Sequence, residues 1–231
     1  MVLDPQLRLP TSDELPSSDD TPVDNEDQNF IPNLLLFLMQ FIWAERQDWY
    51  FGVDMGIYHT TGVSPYVPVI PDGFLSIGVK RKKGENWRKS YVVWEEDEIV
   101  PTFVLELASL TPGGEYDKKM GIYAGLGVLY YVIYNPYYWQ RDRHQPFEVY
   151  QLVNGAYQLQ IGEPFWMPEI GLGIGRTIAE VGGIQREILC WYDHLGNRYR
   201  TPEELAREAQ QQLETQNQLL ERYRQQFGEL E

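Results

Sequence analysis

The sequence predicts a mixed α/β domain with a central sheet, flanking helices and a C-terminal helix. Three observations carry this reading. Apolar, β-prone runs at Phe103–Leu107 and Val128–Tyr134 are joined by a helix-compatible segment, Lys118–Leu126, the pattern of a parallel crossover. Two alternating runs, FEVYQLV and AYQLQI, flank Asn154–Gly155, a dipeptide suited to a type I′ hairpin turn. From Thr201 a helix start is written out, with Thr201 as N-cap, Pro202 at the first position and Glu204 at the third.

Taken in order, residues 1–30 read as an acidic tail, with eight acidic residues against Arg8 and no hydrophobic period. Residues 31–200 form the domain. Pro32 suits a first helical turn, and Leu34, Leu35, Phe37, Leu38, Phe41 and Ile42 follow at helical spacing to about Arg46. Tyr50–Tyr58 reads as one strand containing Gly52 and Gly56, and Gly73–Val79 as a short second strand. The run Lys80, Arg81, Lys82, Lys83, followed by Arg88 and Lys89, is either a solvated hairpin tip or a local phosphate contact. Gly125 or Gly127 closes the helix after Lys118, and the strand to Tyr134 stops at Asn135–Pro136. Glycine-rich residues 171–175 and the stretch REILCWYD follow without an assigned element. The GLGIG there lacks the strand-turn-helix context of a dinucleotide fingerprint. Residues 201–231 carry one apolar stripe, Leu205, Ala209, Leu213, Leu220, Tyr223 and Phe227, interrupted at Gln216. That stripe packs either on a partner helix or back on its own domain.

Composition bounds the chemistry. With 43% apolar and 14% aromatic residues in 231, the chain can bury a real core. The single Cys190 excludes a disulfide framework and a four-cysteine zinc site, and His59, His144 and His194 are not spaced as metal ligands. The net charge of −15 disfavours a non-specific nucleic-acid coat protein, but not an enzyme that touches DNA through a small patch. The opening MVLDPQLRLPTSDELP is not a secretory signal and no run is long enough to span a bilayer, so a cytoplasmic, non-membrane protein is expected.

Two carboxylates demand explanation. Asp72 follows Pro71 at a strand start, and Glu106 sits inside an apolar strand, on the face of Val104 and Ala108. A carboxylate there needs a partner, either a divalent cation or a basic side chain. On adjacent strands, Asp72 and Glu106 could converge on one Mg²⁺. Glu115, Lys119 and Tyr123 stand at i, i+4 and i+8, so Lys119 can point back at the strand carboxylate; Lys118 points about a quarter-turn away. A purely structural Glu106–Lys119 tie is the alternative.

The segments IPDGFLSI and PTFVLELASLTPGGEYDKKMGIYAGLGVLYYVIYNP resemble the Uma-two family of restriction endonucleases, within the PD-(D/E)XK nuclease superfamily. The matching residues are Pro71–Asp72, Glu106, Ser109, Glu115, Lys119, Tyr123, Gly127–Val128 and Asn135–Pro136, and the ending WYDHLGNRYRTPEELA is also similar. The superfamily's lysine two residues after the glutamate is replaced here by Ala108, so Lys119 has to substitute; Glu115 and Asn135 stand where aspartate is usual, and Glu45 is the nearest acid to the first helix. The resemblance implies a restriction endonuclease-like core that hydrolyses DNA with Mg²⁺ or Mn²⁺. Asp72, Glu106 and the Leu107 carbonyl would be metal ligands, Lys119 would position the water, and DNA would be held weakly near Lys80–Lys83. It also implies a homodimer, since two sites cut a duplex, with the C-terminal helix as its element. An inactive nuclease fold used for DNA or protein binding is the rival reading.

Overall fold

The computed structural model describes residues 8–16, 25–83, 87–111 and 113–228; the Phe227 side chain lies outside this set. The central sheet has six strands in the order β1-β3-β5-β6-β7-β8, namely Trp49–Val53, Gly73–Ile77, Phe103–Leu107, Tyr130–Tyr134, Phe147–Val153 and Ala156–Leu159. All neighbours are antiparallel except β5 and β6, which run parallel as expected, joined by α2 (Lys118–Leu126). Gly127 adopts φ +92° to close that helix, a conformation that costs a glycine nothing sterically. The β7–β8 hairpin turns on Asn154 and Gly155, both at positive φ, as a type I′ turn requires.

The first helix, α1 (Glu26–Ile42), begins earlier than Pro32 suggests and ends before Arg46. Asn25 accepts from the Gln28 N–H at 3.1 Å, and Arg186 pairs with Glu26 and Asp27, so the start of the helix is fixed by side chains that hydropathy does not reveal. Pro32 therefore sits inside the helix. The expected strand from Tyr50 to Tyr58 is broken at Asp54, whose φ of 46° turns the chain. Its second part, β2 (Ile57–Tyr58), pairs in parallel with β4 (Tyr91–Val92) in a separate small sheet. Gly52 is required within β1, because a Cβ there would meet the Phe74 ring at 2.3 Å.

Alternation along β5 and β6 separates two apolar cores. Phe103, Leu105, Leu107, Tyr130 and Val132 face α1 residues Ile31, Leu35 and Leu38. Val104, Tyr131 and Ile133 face Phe74 and the α2 residues Tyr123 and Leu126. Behind α1 lies a three-stranded antiparallel sheet that the sequence reading leaves unassigned: β9 (Phe165–Met167), β10 (Leu172–Val181) and β11 (Ile184–Tyr192). Trp191 joins it to the first core, its Nε1 donating to the Leu35 carbonyl at 2.9 Å.

The described part of the acidic tail is docked on the domain. Leu15 is buried against Tyr58 and Val92, and Ser12 donates to Glu95 through both N–H and hydroxyl. Asp4, Asp19, Asp20 and Asp24 lie outside the described residues. A short helix α3 (Trp139–Asp142) precedes β7, and α4 (Pro202–Phe227) ends the chain with its capping box formed as expected. Among the described residues no helix is long and apolar enough to cross a membrane.

Candidate active site

Three elements bring Asp72, Glu106 and Lys119 together at one end of the β3–β5 pair. The ladder matches Gly73 with Leu105, so the next position outward sets Asp72 across from Glu106. Asp72 Oδ2 accepts the Leu107 N–H at 2.6 Å, which locks the carboxylate to the neighbouring strand. The Asp54 N–H donates to the Asp72 carbonyl at 3.1 Å and holds the residue from the other side.

Glu106 is 1% exposed and stands on the α2 face of β5, as strand alternation demands. Lys119 Nζ lies 2.7 Å from its Oε2, and the Tyr123 hydroxyl donates to its Oε1 at 2.6 Å. Spacing of i, i+4 on α2 aims both donors at one carboxylate. Lys119 also reaches the Ile70 carbonyl at 3.3 Å, and its side chain remains 25% exposed. Lys118 is exposed on the helix surface. Glu115 precedes α2 and folds back to accept the Gly113 N–H.

The electrostatics follow from burial. Burial first, and then the Glu106 charge, push the Asp72 carboxyl well above the usual carboxylate range, against the opposing pull of the Leu107 N–H and Lys119. Burial also raises Glu106, partly offset by Lys119 and Tyr123. Burial works against the Lys119 ammonium, yet the Glu106 carboxylate beside it leaves the net shift upward. One lysine therefore faces two buried carboxyl groups whose charged forms burial disfavours, and a further cation would favour ionisation of both. Hard oxygen donors that gain from a neighbouring positive charge fit a divalent cation. Asp72 and Glu106 are the side chains that could hold it; among the described residues no group of three or more His, Cys, Asp or Glu forms such a site.

Other expected residues are placed elsewhere. Glu45 lies in the exposed turn after α1, and α1 packs on the opposite face of the sheet from Glu106. Ser109 donates to the Thr111 carbonyl, and Asn135 shapes the turn after β6 by accepting from the Tyr138 N–H. Within the basic run, Lys83 pairs with Glu95 and Glu96, Arg88 with Glu96, and Arg81 stacks on Trp49. Lys80, Lys82 and Lys89 are exposed, and Lys89 pairs with Asp13. Sequence reasoning missed Asp54, whose charge also acts on Asp72; its only sequence signal is an acid two residues after a strand glycine, Gly52. His59 is buried beside Thr61, His144 pairs with Glu148, and Cys190 is buried, so none joins the cluster.

No curated protein and no solved structure matches the chain significantly. The restriction endonuclease-like arrangement of the sheet agrees with a family profile that matches the chain: Uma2, described as "Putative restriction endonuclease", aligns over residues 20–179, and at that coverage the chain belongs to the Uma2 family.

Proposed function

We propose that this protein is a Mg²⁺- or Mn²⁺-dependent endonuclease that hydrolyses phosphodiester bonds in DNA. The observation that carries the reading is the meeting of Asp72, Glu106 and Lys119 from a strand start, a strand interior and a helix, with Lys119 Nζ 2.7 Å from Glu106 Oε2. Asp72 and Glu106 would hold the cation, with the Leu107 carbonyl as third protein oxygen. A bound divalent cation would supply Lewis acidity toward a phosphate oxygen and neutralise charge developing there. The chain's own residues do the positioning. Tyr123 and Lys119 fix the two oxygens of Glu106, each of which keeps lone-pair capacity for a further partner. The Lys119 ammonium has three N–H groups, and its partial exposure lets one orient a water toward phosphorus. DNA would meet the acidic protein through Lys80 and Lys82, so binding should be weak and salt-sensitive.

One observation favours the rival reading. Both Glu106 oxygens already have donors, as a structural tie between strand and helix would also arrange. Cleavage of supercoiled plasmid at low ionic strength separates the two. Wild type with Mg²⁺ or Mn²⁺ should nick, and Asp72→Ala and Glu106→Ala should not. Lys119→Ala should slow cleavage on the order of 10²–10⁴-fold, with Lys118→Ala near wild type. Wild type as inert as Glu106→Ala with every divalent ion would establish the binding role instead.

A further inference from the structure

The loop between β2 and β3 is held at its base and open at its tip. Ile57 and Val69 exchange backbone hydrogen bonds of 2.8 and 3.1 Å, and Pro68 packs beside Gly56. Within the loop, the Ser64 hydroxyl accepts the Tyr66 N–H and the Ser64 carbonyl accepts the Val67 N–H. Pro65 and Pro68 restrict the backbone on either side of this turn. The shape is therefore fixed from within. Yet Val63 is 87% exposed, Tyr66 54% and Val67 59%, and none of them packs on an apolar cluster of the described residues. An apolar tip on a firmly built loop is the mark of a contact with another molecule.

Position and charge say which molecule. The loop stands on the α2 side of the sheet, since Ile57 and Val69 belong to the same core as Tyr123. Ile70, directly after the closing pair, gives its carbonyl to Lys119 Nζ at 3.3 Å, and Asp72 follows two residues later. Tyr66 therefore borders the cluster of Asp72, Glu106 and Lys119. Phosphate contacts alone are poorly supplied there. Lys118 and Lys119 on α2 stand among the acids Asp54, Asp72, Glu106 and Asp117. Lys80 and Lys82 lie past the far end of β3, a strand length of roughly 17 Å from Asp72. A duplex carries one charge per about 1.7 Å of its axis and hides its base faces; a single strand carries half of that and leaves the faces open.

We propose that the substrate is engaged as an unpaired DNA strand, with a base stacked on the Tyr66 ring and Val63 and Val67 flanking it. The proposal rests on the nuclease reading and names the form of nucleic acid that the site takes. Stacking on an aromatic face tolerates every base and needs no positive charge, so it suits an acidic protein.

The test reads binding apart from cleavage. The full-length protein is titrated into a short labelled DNA strand of mixed sequence, alone and annealed to its complement, and fluorescence anisotropy is followed. Ca²⁺ replaces Mg²⁺, and the length of the probe is checked afterwards. The single strand should bind on the order of tenfold more tightly than the duplex. Tyr66→Ala should weaken strand binding on the order of ten- to a hundredfold, with thermal unfolding unchanged because the ring is exposed. Tyr66→Phe should bind as wild type, and Tyr66→Leu, apolar but without a π face, should bind like Tyr66→Ala. Phe41→Ala, which removes an exposed ring at the far end of α1, should change nothing. Tighter duplex binding, no binding of either probe, or Tyr66→Leu equal to wild type would each overturn the inference. A supercoiled plasmid also offers unpaired stretches, which parts this inference from the nuclease reading. Plasmid cleavage indifferent to Tyr66→Ala would overturn the stacking role and leave the nuclease standing. Tyr66-dependent strand binding by a protein that cuts nothing would do the opposite.

Discussion

Replacing Tyr123 by phenylalanine removes one oxygen and leaves the ring in place. That oxygen is the 2.6 Å donor to Glu106 Oε1, and both groups are buried. A hydrogen bond to a charged, buried acceptor contributes about 1.5–3 kcal/mol, because the carboxylate oxygen left behind has no water to replace the donor. For a protein of this size each kcal/mol moves Tm by about 2–4 °C, so the loss should be roughly 3–12 °C. The same substitution made on Glu106→Leu has no carboxylate to strand, and should cost far less. Thermal unfolding of the four proteins of this cycle gives the coupling directly. Equal costs of Tyr123→Phe in both backgrounds would refute the idea that this hydroxyl serves the Glu106 carboxylate.

Two further outcomes follow from the electrostatics. Burial and Glu106 raise the Asp72 pKa, so ionising Asp72 costs the fold stability as pH rises above the ordinary carboxylate range. Asp72→Asn keeps an acceptor for the Leu107 N–H and removes the charge. It should raise Tm at neutral pH while abolishing any cleavage, with no gain at pH 3; a lower Tm at neutral pH counts against the buried-charge argument. Glu204 has the opposite sign: Arg198, and then the Thr201 N–H, hold its carboxyl below the usual value, so its contribution is present above about pH 4.5 and fades as pH falls further. Glu204→Gln should cost about 0.2–1 kcal/mol at pH 7 and nothing measurable near pH 2. A cost independent of pH would mean that the charge is not the contributing part.

What the sequence disclosed was local. Asn154–Gly155, the Thr201 capping box and the crossover from Phe103 to Tyr134 are set by residues within one element or one turn, and they are legible there. Lys119 could be aimed at Glu106, with Tyr123 on the same helix face, because helix spacing and strand alternation fix direction without knowledge of the rest; that the Tyr123 hydroxyl also reaches Glu106 came only from the structure. The sheet of β9, β10 and β11 was not legible. Gly173 and Gly175 lie in β10 because Tyr192 and Pro164 press against them, which is information held by other strands. The pairing of Lys83 with Glu95, and the docking of Leu15 on Tyr58, depend on tertiary contact in the same way.

The division of the site among a strand start, a strand interior and a helix also sets what it depends on. Glu106 and Asp72 come into apposition once β3 pairs with β5, but their cation arrives on α2, which is held by Tyr123 and Leu126 in the second core. The three side chains meet only where both the β3–β5 pairing and that core are in place, so loss of the α2 packing alone would leave the two acids side by side without their lysine.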